Sequence, residues 1–396
     1  MINVIKQFIL NNSLLFSASA IKKVSILQLA ASSWRNFDYG RLVYLIFING
    51  QPKVVAKLYR TSKHNNSLTK EFKVLKYLQS QNADFCSKPI ILAQIGEHKV
   101  SFETFIEGCS LFQELTNIRY HPGVSAKYLS RFFREHFNIA YSIFNKQNAQ
   151  NEKGSGIEEK EEIKELLNEY SSLSNAKEDL IQKIEAITNS INFGISSKRV
   201  VHFNLAAINI FKANNSFYKL TDFECSQKSY LWYIEPAMFV FHYVGNVVEL
   251  GFVKNTLLEA MHSFRFNPKN IFEKAAMDFC KKCFNNDPRF IQKAFILGLI
   301  KSYILQKKVR SFMADIEEKN FMDIIEFWLK EKSLSMLDTA VRISTRNEDI
   351  GEYTKRLKER MSQLQSQLSS ITSSRGWKMT TTLHTIRMKL PILKNL

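Results

Sequence analysis

Glycine and proline are scarce in this chain, 13 and 7 among 396 residues. A many-stranded β protein needs frequent turns, so this poverty favours helices over an all-β architecture. Cysteines are few and odd in number: Cys86, Cys109, Cys225, Cys280 and Cys283. They offer no disulfide framework and fit a reducing cytoplasm. Cys280-Lys-Lys-Cys283 has neither a second pair nor a histidine at zinc spacing, and it reads as two incidental thiols in a helix. A spanning helix needs roughly 18 or more apolar residues, and no such run exists. The densest stretch, Leu231 to Val253, is broken by Glu235, His242 and Glu249. At the N-terminus, Lys6 followed by Phe8-Ile9-Leu10 faintly resembles an export signal, but Asn11-Asn12 split its apolar core, so export is not expected. Acidic residues are in the minority, 37 against 55 Lys and Arg, for a net charge of +18. Such a charge suits a polyanionic neighbour, whether nucleic acid, an anionic membrane or a phosphorylated ligand; it also suits a plain Lys-rich surface. No helix-turn-helix, zinc-finger or RNP-like signature accompanies it, so nucleic acid is not the favoured partner.

Apolar material is plentiful: 45% hydrophobic residues, with 31 Phe and 14 Tyr, enough for a sizeable core. Residues 24–60 read as three strands. Val24 to Leu29 is β-leaning. Arg41 to Ile48 ends at Asn49-Gly50, a strong hairpin signal, and Val54 to Tyr59 returns. A polar loop, Thr61 to Ser67, precedes a helix with Phe72, Leu75 and Leu78 at helical spacing. Val100 to Phe105 is another strand, closed by Glu107-Gly108. Helical patterning begins near Leu111. Residues 151–185 are so charged that they read as a solvated helical insertion braced by Glu–Lys pairs. Short β-like segments, Arg199 to Val201, Ile208 to Phe211 and Tyr218 to Leu220, interrupt the helices, which resume from Pro236 to Met336.

The end of the chain differs. Leu357, Met361, Leu364, Leu368 and Ile371 follow heptad spacing for about two heptads, a seam for self-association or a partner helix through 350–371. Ser373 to Leu396 mixes Trp377, Met379, Leu383 and Ile386 with basic residues, and residues 351–396 carry a net +7. That composition suits peripheral membrane contact through 373–396 or docking on another subunit.

The chemistry concentrates in His202-Phe203-Asn204-Leu205-Ala206-Ala207-Ile208-Asn209, followed by Leu220-Thr221-Asp222-Phe223-Glu224. An asparagine amide oxygen and an aspartate carboxylate on either side of a hairpin are hard oxygen ligands of the kind Mg²⁺ needs beside phosphates.

This stretch resembles the H-G-D-x-x-x-x-N … D-F-E pattern of the aminoglycoside phosphotransferase and choline kinase-like family. Val54-Val55-Ala56-Lys57 is similar to the strand whose lysine holds the α/β phosphates, and Glu71 on the next helix is placed to pair with it. Phe102-Glu103-Thr104-Phe105-Ile106-Glu107-Gly108 resembles the hinge that presents backbone groups to adenine. Across residues 24–330 the resemblance implies an α+β, bilobal protein kinase-like fold: an antiparallel-sheet N-lobe over 1–107, a mainly helical C-lobe over 108–336, and a helical tail over 337–396. It implies ATP and Mg²⁺. Lys57, Glu71, Asn36, Glu103 and Phe105 would bind the nucleotide, and Asn209 and Asp222 the metal. His202 would brace the catalytic loop, with a small-molecule or glycan hydroxyl as acceptor.

The chain departs from the family at Asn204, where the pattern has the Asp that orients or deprotonates the acceptor hydroxyl. A neutral amide is no base near pH 7, and general-base help is worth ~10²–10⁴-fold. Phe203 replaces the pattern's Gly. The phosphate-covering loop, Ala30 to Gly40, lacks clustered glycines, although its Asn36 is similar to an asparagine common there. Two readings therefore stay open: a phosphotransferase, or a pseudokinase scaffold. Ser373-Ser374-Arg375-Gly376-Trp377-Lys378-Met379-Thr380 partly resembles a tail on bacterial surface-polysaccharide glycosyltransferases and methyltransferases, with Thr382 and His384 departing from that pattern. It implies a cytoplasmic protein at the inner membrane face, in glycan assembly.

Overall fold

The computed structural model describes residues 1–17, 20–31, 40–121, 124–148, 151–153, 156–191, 197–213, 218–252, 271–309 and 318–329. The heptad seam and the basic tail lie outside the described residues, as do Asn36 and most of its loop. Everything below belongs to the unit Met1–Ile343.

The N-terminal lobe is a five-stranded antiparallel sheet of β1 (Val24–Ala31), β2 (Arg41–Ile48), β3 (Gln51–Tyr59), β4 (Pro89–Ile95) and β5 (His98–Thr104), in the order β1-β2-β3-β5-β4. The Asn49-Gly50 hairpin forms as its residue types require. Both residues take positive φ, 53° and 85°, matching the right-handed twist of the flanking strands. Helix α1 (Ile2–Asn11) buries Ile5 and Ile9 against this sheet, and Phe8 stacks on Phe102 with ring centroids 5.5 Å apart. The short α2 (Ser13–Phe16) adds Phe16. The apolar N-terminal residues are thus core material of the lobe.

Helix α3 (Asn65–Ser80) begins inside the expected loop, after a single 3₁₀ turn at Ser62–His64. Its buried stripe is Leu68, Glu71, Leu75 and Leu78, with a glutamate among the leucines and Phe72 only half-buried. A buried carboxylate demands partners, and the site described below supplies them.

The second lobe is helical. It contains α4 (Leu111–Tyr120), α5 (Ala126–Asn148), α6 (Gly156–Leu173), α7 (Glu178–Ser190), α8 (Ile234–Glu249), α9 (Ile271–Cys283), α10 (Pro288–Val309) and α11 (Glu318–Leu329). Ser110 and Gln113 form a reciprocal capping box that starts α4. Two small antiparallel sheets stand beside the helices. One joins β6 (Cys109–Ser110), β9 (Ile210–Lys212) and β10 (Tyr218–Leu220). The other joins β7 (Asn151–Lys153), β8 (Ser197–Val201) and β11 (Gln227–Ser229). Gly108, with φ 139°, lets the chain cross β9, since a Cβ there would lie 2.1 Å from the Lys212 carbonyl oxygen. Each lobe has its own apolar cluster. Among the described residues no helix is long and apolar enough to cross a membrane.

The charged stretch 151–185 is helical, as expected, but not wholly solvated. Helix α6 buries Glu159, Ile163, Leu166, Leu167 and Tyr170 on one face, and its acids reach inward. Glu159 Oε1 accepts from Lys293 Nζ at 2.9 Å and Tyr233 Oη at 2.8 Å. Glu162 accepts from the Tyr230 amide at 2.7 Å, and Glu158 from Tyr230 Oη at 2.6 Å. The dense charge conceals an apolar stripe at helical spacing, and three of the acids fasten the 229–233 segment that leads into α8.

Candidate functional site

Strand register places the first half of the site. Arg41 pairs with Tyr59 and Val43 with Lys57 across β2 and β3, and Lys57 pairs with Ser101 across β3 and β5. Directly opposed residues share a face, so Arg41, Lys57, Tyr59 and Glu103 all project from one side of the sheet. Helix α3 presents Glu71 to that side. Lys57 Nζ meets Glu71 Oε1 at 2.9 Å and Glu103 Oε1 at 2.5 Å. The lysine–helix glutamate pair expected from the sequence is formed.

The second half is the hairpin carrying Asn209 and Asp222. Leu220 pairs with Ile210, and the Thr221 amide donates to the Asn209 carbonyl at 2.9 Å, which brings the two residues to one end of the ladder. Asn209 Nδ2 donates to the Asn204 carbonyl at 2.9 Å, fixing the catalytic-type loop to the hairpin. Asp222 sits in the left-handed region, φ 66°, with its side chain 34% exposed and therefore reachable from the cleft. The Leu220 amide donates to the Phe85 carbonyl at 2.6 Å, tying the hairpin to the chain after α3.

His202 is fully buried and serves as a brace. Its Nε2 lies 2.8 Å from the Thr221 carbonyl, and its ring meets Phe223 edge-on at 4.8 Å. Burial outweighs the pull of Asp222 and lowers its pKa to about 4, so the ring is neutral at pH 7 and donates to that carbonyl. Asn204 is half-buried in the same loop.

Two residues of the expected hinge have partners within the protein. The Phe105 amide already donates to the Lys53 carbonyl at 2.9 Å, so it is not a donor for a nucleobase. Glu103 is a ladder residue whose buried side chain joins the ion cluster through Lys57 and Ser87 Oγ, a role the sequence did not indicate. Strand β5 starts two residues earlier than the sequence suggested and ends at Thr104, one residue short of the expected end, and residues 105–108 lead to β6.

Three participants were not anticipated. Arg41, 5% exposed, donates from Nη1 to Asp222 Oδ1 at 2.5 Å, lies 3.4 Å from Glu224 Oε2, and pairs through Nη2 with Glu71 Oε2. Burial would lower its pKa, but Asp222 and then Glu224 reverse the effect and raise it. Burial likewise pushes the Asp222 carboxyl upward, and Arg41 followed by Lys57 overcome this and hold it below its usual range. Tyr59 Oη donates to Glu224, which is thereby tied to the sheet.

The third is Glu235, at the start of α8. Its Oε1 accepts from the amides of His202 at 3.0 Å and Phe203 at 3.1 Å. Phe203 holds φ 54°, a conformation costly for a bulky residue, and Glu235 is what pins it. The available signal was a lone acid opening a long apolar helix. An ionisable group in such a stretch is buried, and so must be bonded.

Among the described residues no cluster of three or more His, Cys, Asp or Glu side chains could hold a metal ion, so from this chain a divalent cation would rest on Asn209 and Asp222, whose donor chemistry suits it. An amide oxygen and a partly exposed carboxylate are hard ligands, and around them two cations, Arg41 and Lys57, face four carboxylates, Glu71, Glu103, Asp222 and Glu224.

The sheet order, the Lys57–Glu71 pair, the Asn209–Asp222 hairpin and the helical second lobe together define a bilobal protein kinase-like fold. No family model and no curated protein matches the chain. Solved structures similar to it include choline kinase LicA from Streptococcus pneumoniae, at 14% identity over 84% of this chain and 98% of that one, with a TM-score of 0.44. A GDP complex of wild-type aminoglycoside 2'-phosphotransferase-IIIa is 13% identical over 83% and 98%, TM-score 0.46. An ethanolamine kinase from Plasmodium vivax is 14% identical over 79% and 83%, TM-score 0.39. The fold assignment rests on the topology and the site geometry.

Proposed function

We propose that this chain binds ATP with Mg²⁺ and passes the terminal phosphoryl group to a hydroxyl of a small molecule, a sugar or a glycan precursor. The observation that carries this reading is Lys57, ion-paired to Glu71 at 2.9 Å in the same cleft as Asn209 and Asp222. Lys57 would hold phosphate oxygens in a fixed place. Asn209 and Asp222 would hold Mg²⁺, which when bound neutralises charge on the phosphates. In the transfer, a bond forms from the acceptor oxygen to phosphorus while the bond to the leaving diphosphate oxygen breaks, and the hydroxyl proton is released.

Asn204 can orient the hydroxyl by hydrogen bonding but cannot take that proton. His202 is committed to the Thr221 carbonyl and Glu224 to Arg41 and Tyr59, so neither replaces the missing carboxylate. Phosphoryl transfer has a loose transition state that asks more of positioning than of a base, so the expected outcome is slow transfer. Asn204 also favours a second reading, a nucleotide-binding scaffold without transfer.

Thermal shift with Mg-ATP tests binding. Wild type should be stabilised and Asp222→Ala should lose most of the gain; equal responses would remove the nucleotide reading. Turnover then separates the two readings. Measurable ATP-dependent phosphorylation by wild type supports the enzyme. Activity seen only in Asn204→Asp supports the scaffold.

The tail motif, the heptad and the basic charge support a place at the inner membrane face among glycan-assembling enzymes, with 350–371 meeting a partner helix. Flotation of the full chain with anionic vesicles, with and without residues 373–396, tests that placement.

A further inference from the structure

We propose that Arg41 is a resident cation at the metal position, so that a divalent ion and this guanidinium compete for Asp222. The inference rests on reading Asn209 and Asp222 as the metal ligands.

The geometry carries it. Arg41 is the first residue of β2, directly across from Tyr59 and on the Lys57 face. From there it reaches across the cleft to Asp222 Oδ1 at 2.5 Å and Glu224 Oε2 at 3.4 Å while pairing with Glu71 on its own lobe. Its side chain is 6% exposed, and that of Asp222 34%. The guanidinium therefore fills the inner side of the carboxylate and leaves the outer side to the cleft. A planar guanidinium supplies fixed donors to several carboxylates at once, a task for which lysine is a poor substitute. A divalent ion using Asp222 must share it with that charge at close range, where like charges repel strongly in a partly desolvated cleft. Asp222 is thus engaged before any metal arrives. Because Arg41 bridges the lobes, its release is coupled to metal capture.

Mn²⁺ binding to the full chain without nucleotide, read by loss of the free-ion paramagnetic resonance signal, tests this. Wild type should bind weakly. Arg41→Gln should tighten binding roughly tenfold or more, and adding Asp222→Asn should abolish that gain. Equal or weaker Mn²⁺ binding by Arg41→Gln would overturn the proposal, as would tight wild-type binding that already depends on Asp222.

Arg41→Gln leaves buried carboxylates without their cation and could lower stability. In that case Mn²⁺ should restore its Tm dose-dependently and leave wild type unmoved, and lack of restoration also counts against the proposal. Arg41→Lys, a charge-conserving second variant, should bind Mn²⁺ between the two, because a single ammonium cannot hold Glu71 and Asp222 together. No nucleotide is present, so failure here is distinct from failure of Mg-ATP binding in the thermal-shift experiment.

Discussion

Glu235 should make the stability of this protein fall as pH rises, and replacing it by glutamine should remove that fall. Its carboxyl is fully buried, and burial lifts its pKa to about 8 even though the amides of His202 and Phe203 favour the charged form. In the unfolded chain a glutamate titrates near ~4.3. Between those values the folded state holds a proton that the unfolded state has lost. The contribution is therefore complete below about 4.3 and disappears as pH climbs through about 8. Each pH unit inside that window costs about 1.4 kcal/mol, so pH 6 to pH 8 removes on the order of 2–3 kcal/mol. Glutamine keeps an acceptor oxygen for both amides and has nothing to ionise. Urea unfolding of wild type and Glu235→Gln at pH 6 and pH 8 measures the difference, and subtraction removes every other titrating group. Parallel pH dependence in the two proteins would refute the assignment. Glu235→Ala should be worse at both pH values, because each orphaned buried amide costs ~1–3 kcal/mol. Relaxation of Phe203 from its φ of 54° would return part of that.

Glu159→Ala should destabilise by roughly 3–5 kcal/mol, since it removes the charge partner of the buried Lys293, whereas its exposed neighbour Glu161→Ala should stay within about 0.5 kcal/mol; urea midpoints compare them. Burial lowers His242 to about 4, against roughly 6.5 in the unfolded chain, so its contribution is present above about 6.5 and is lost as pH falls toward 4. His242→Leu should therefore reduce the stability lost between pH 7 and pH 5 by on the order of 2 kcal/mol. Cys280 and Cys283 are both pushed upward by burial, so neither should react with a thiol reagent until the protein unfolds, and zinc should not protect them.

The chain announced its backbone plan because local rules decide such things. Asn49-Gly50 dictated a hairpin, Val54 to Tyr59 its return strand, and the residues from about Leu111 a helix, each from the preferences of a few adjacent residues. The family resemblance of the stretches carrying Lys57 and Glu71, and Asn209 and Asp222, pointed to groups that would meet, and Lys57 does pair with Glu71. Other features were hidden for the same physical reason, acting at longer range. Glu159 and Glu161 look alike in a charged run, and only the packing of α6 on α10 separates a buried ion pair from a solvated one. Glu235 reads as an interruption of an apolar stretch until two amides 33 and 32 residues earlier are found bonded to it. Arg41 is an ordinary strand residue until Asp222, 181 positions away, closes on its guanidinium. The sequence alone, through its family resemblance, singled out Lys57 with Glu71 as its helix partner, the Asn209–Asp222 pair, and Asn204 where that family's pattern has Asp. Only the tertiary structure decided what charge surrounds them, because electrostatics and burial depend on proximity across the cleft, which residue order does not record.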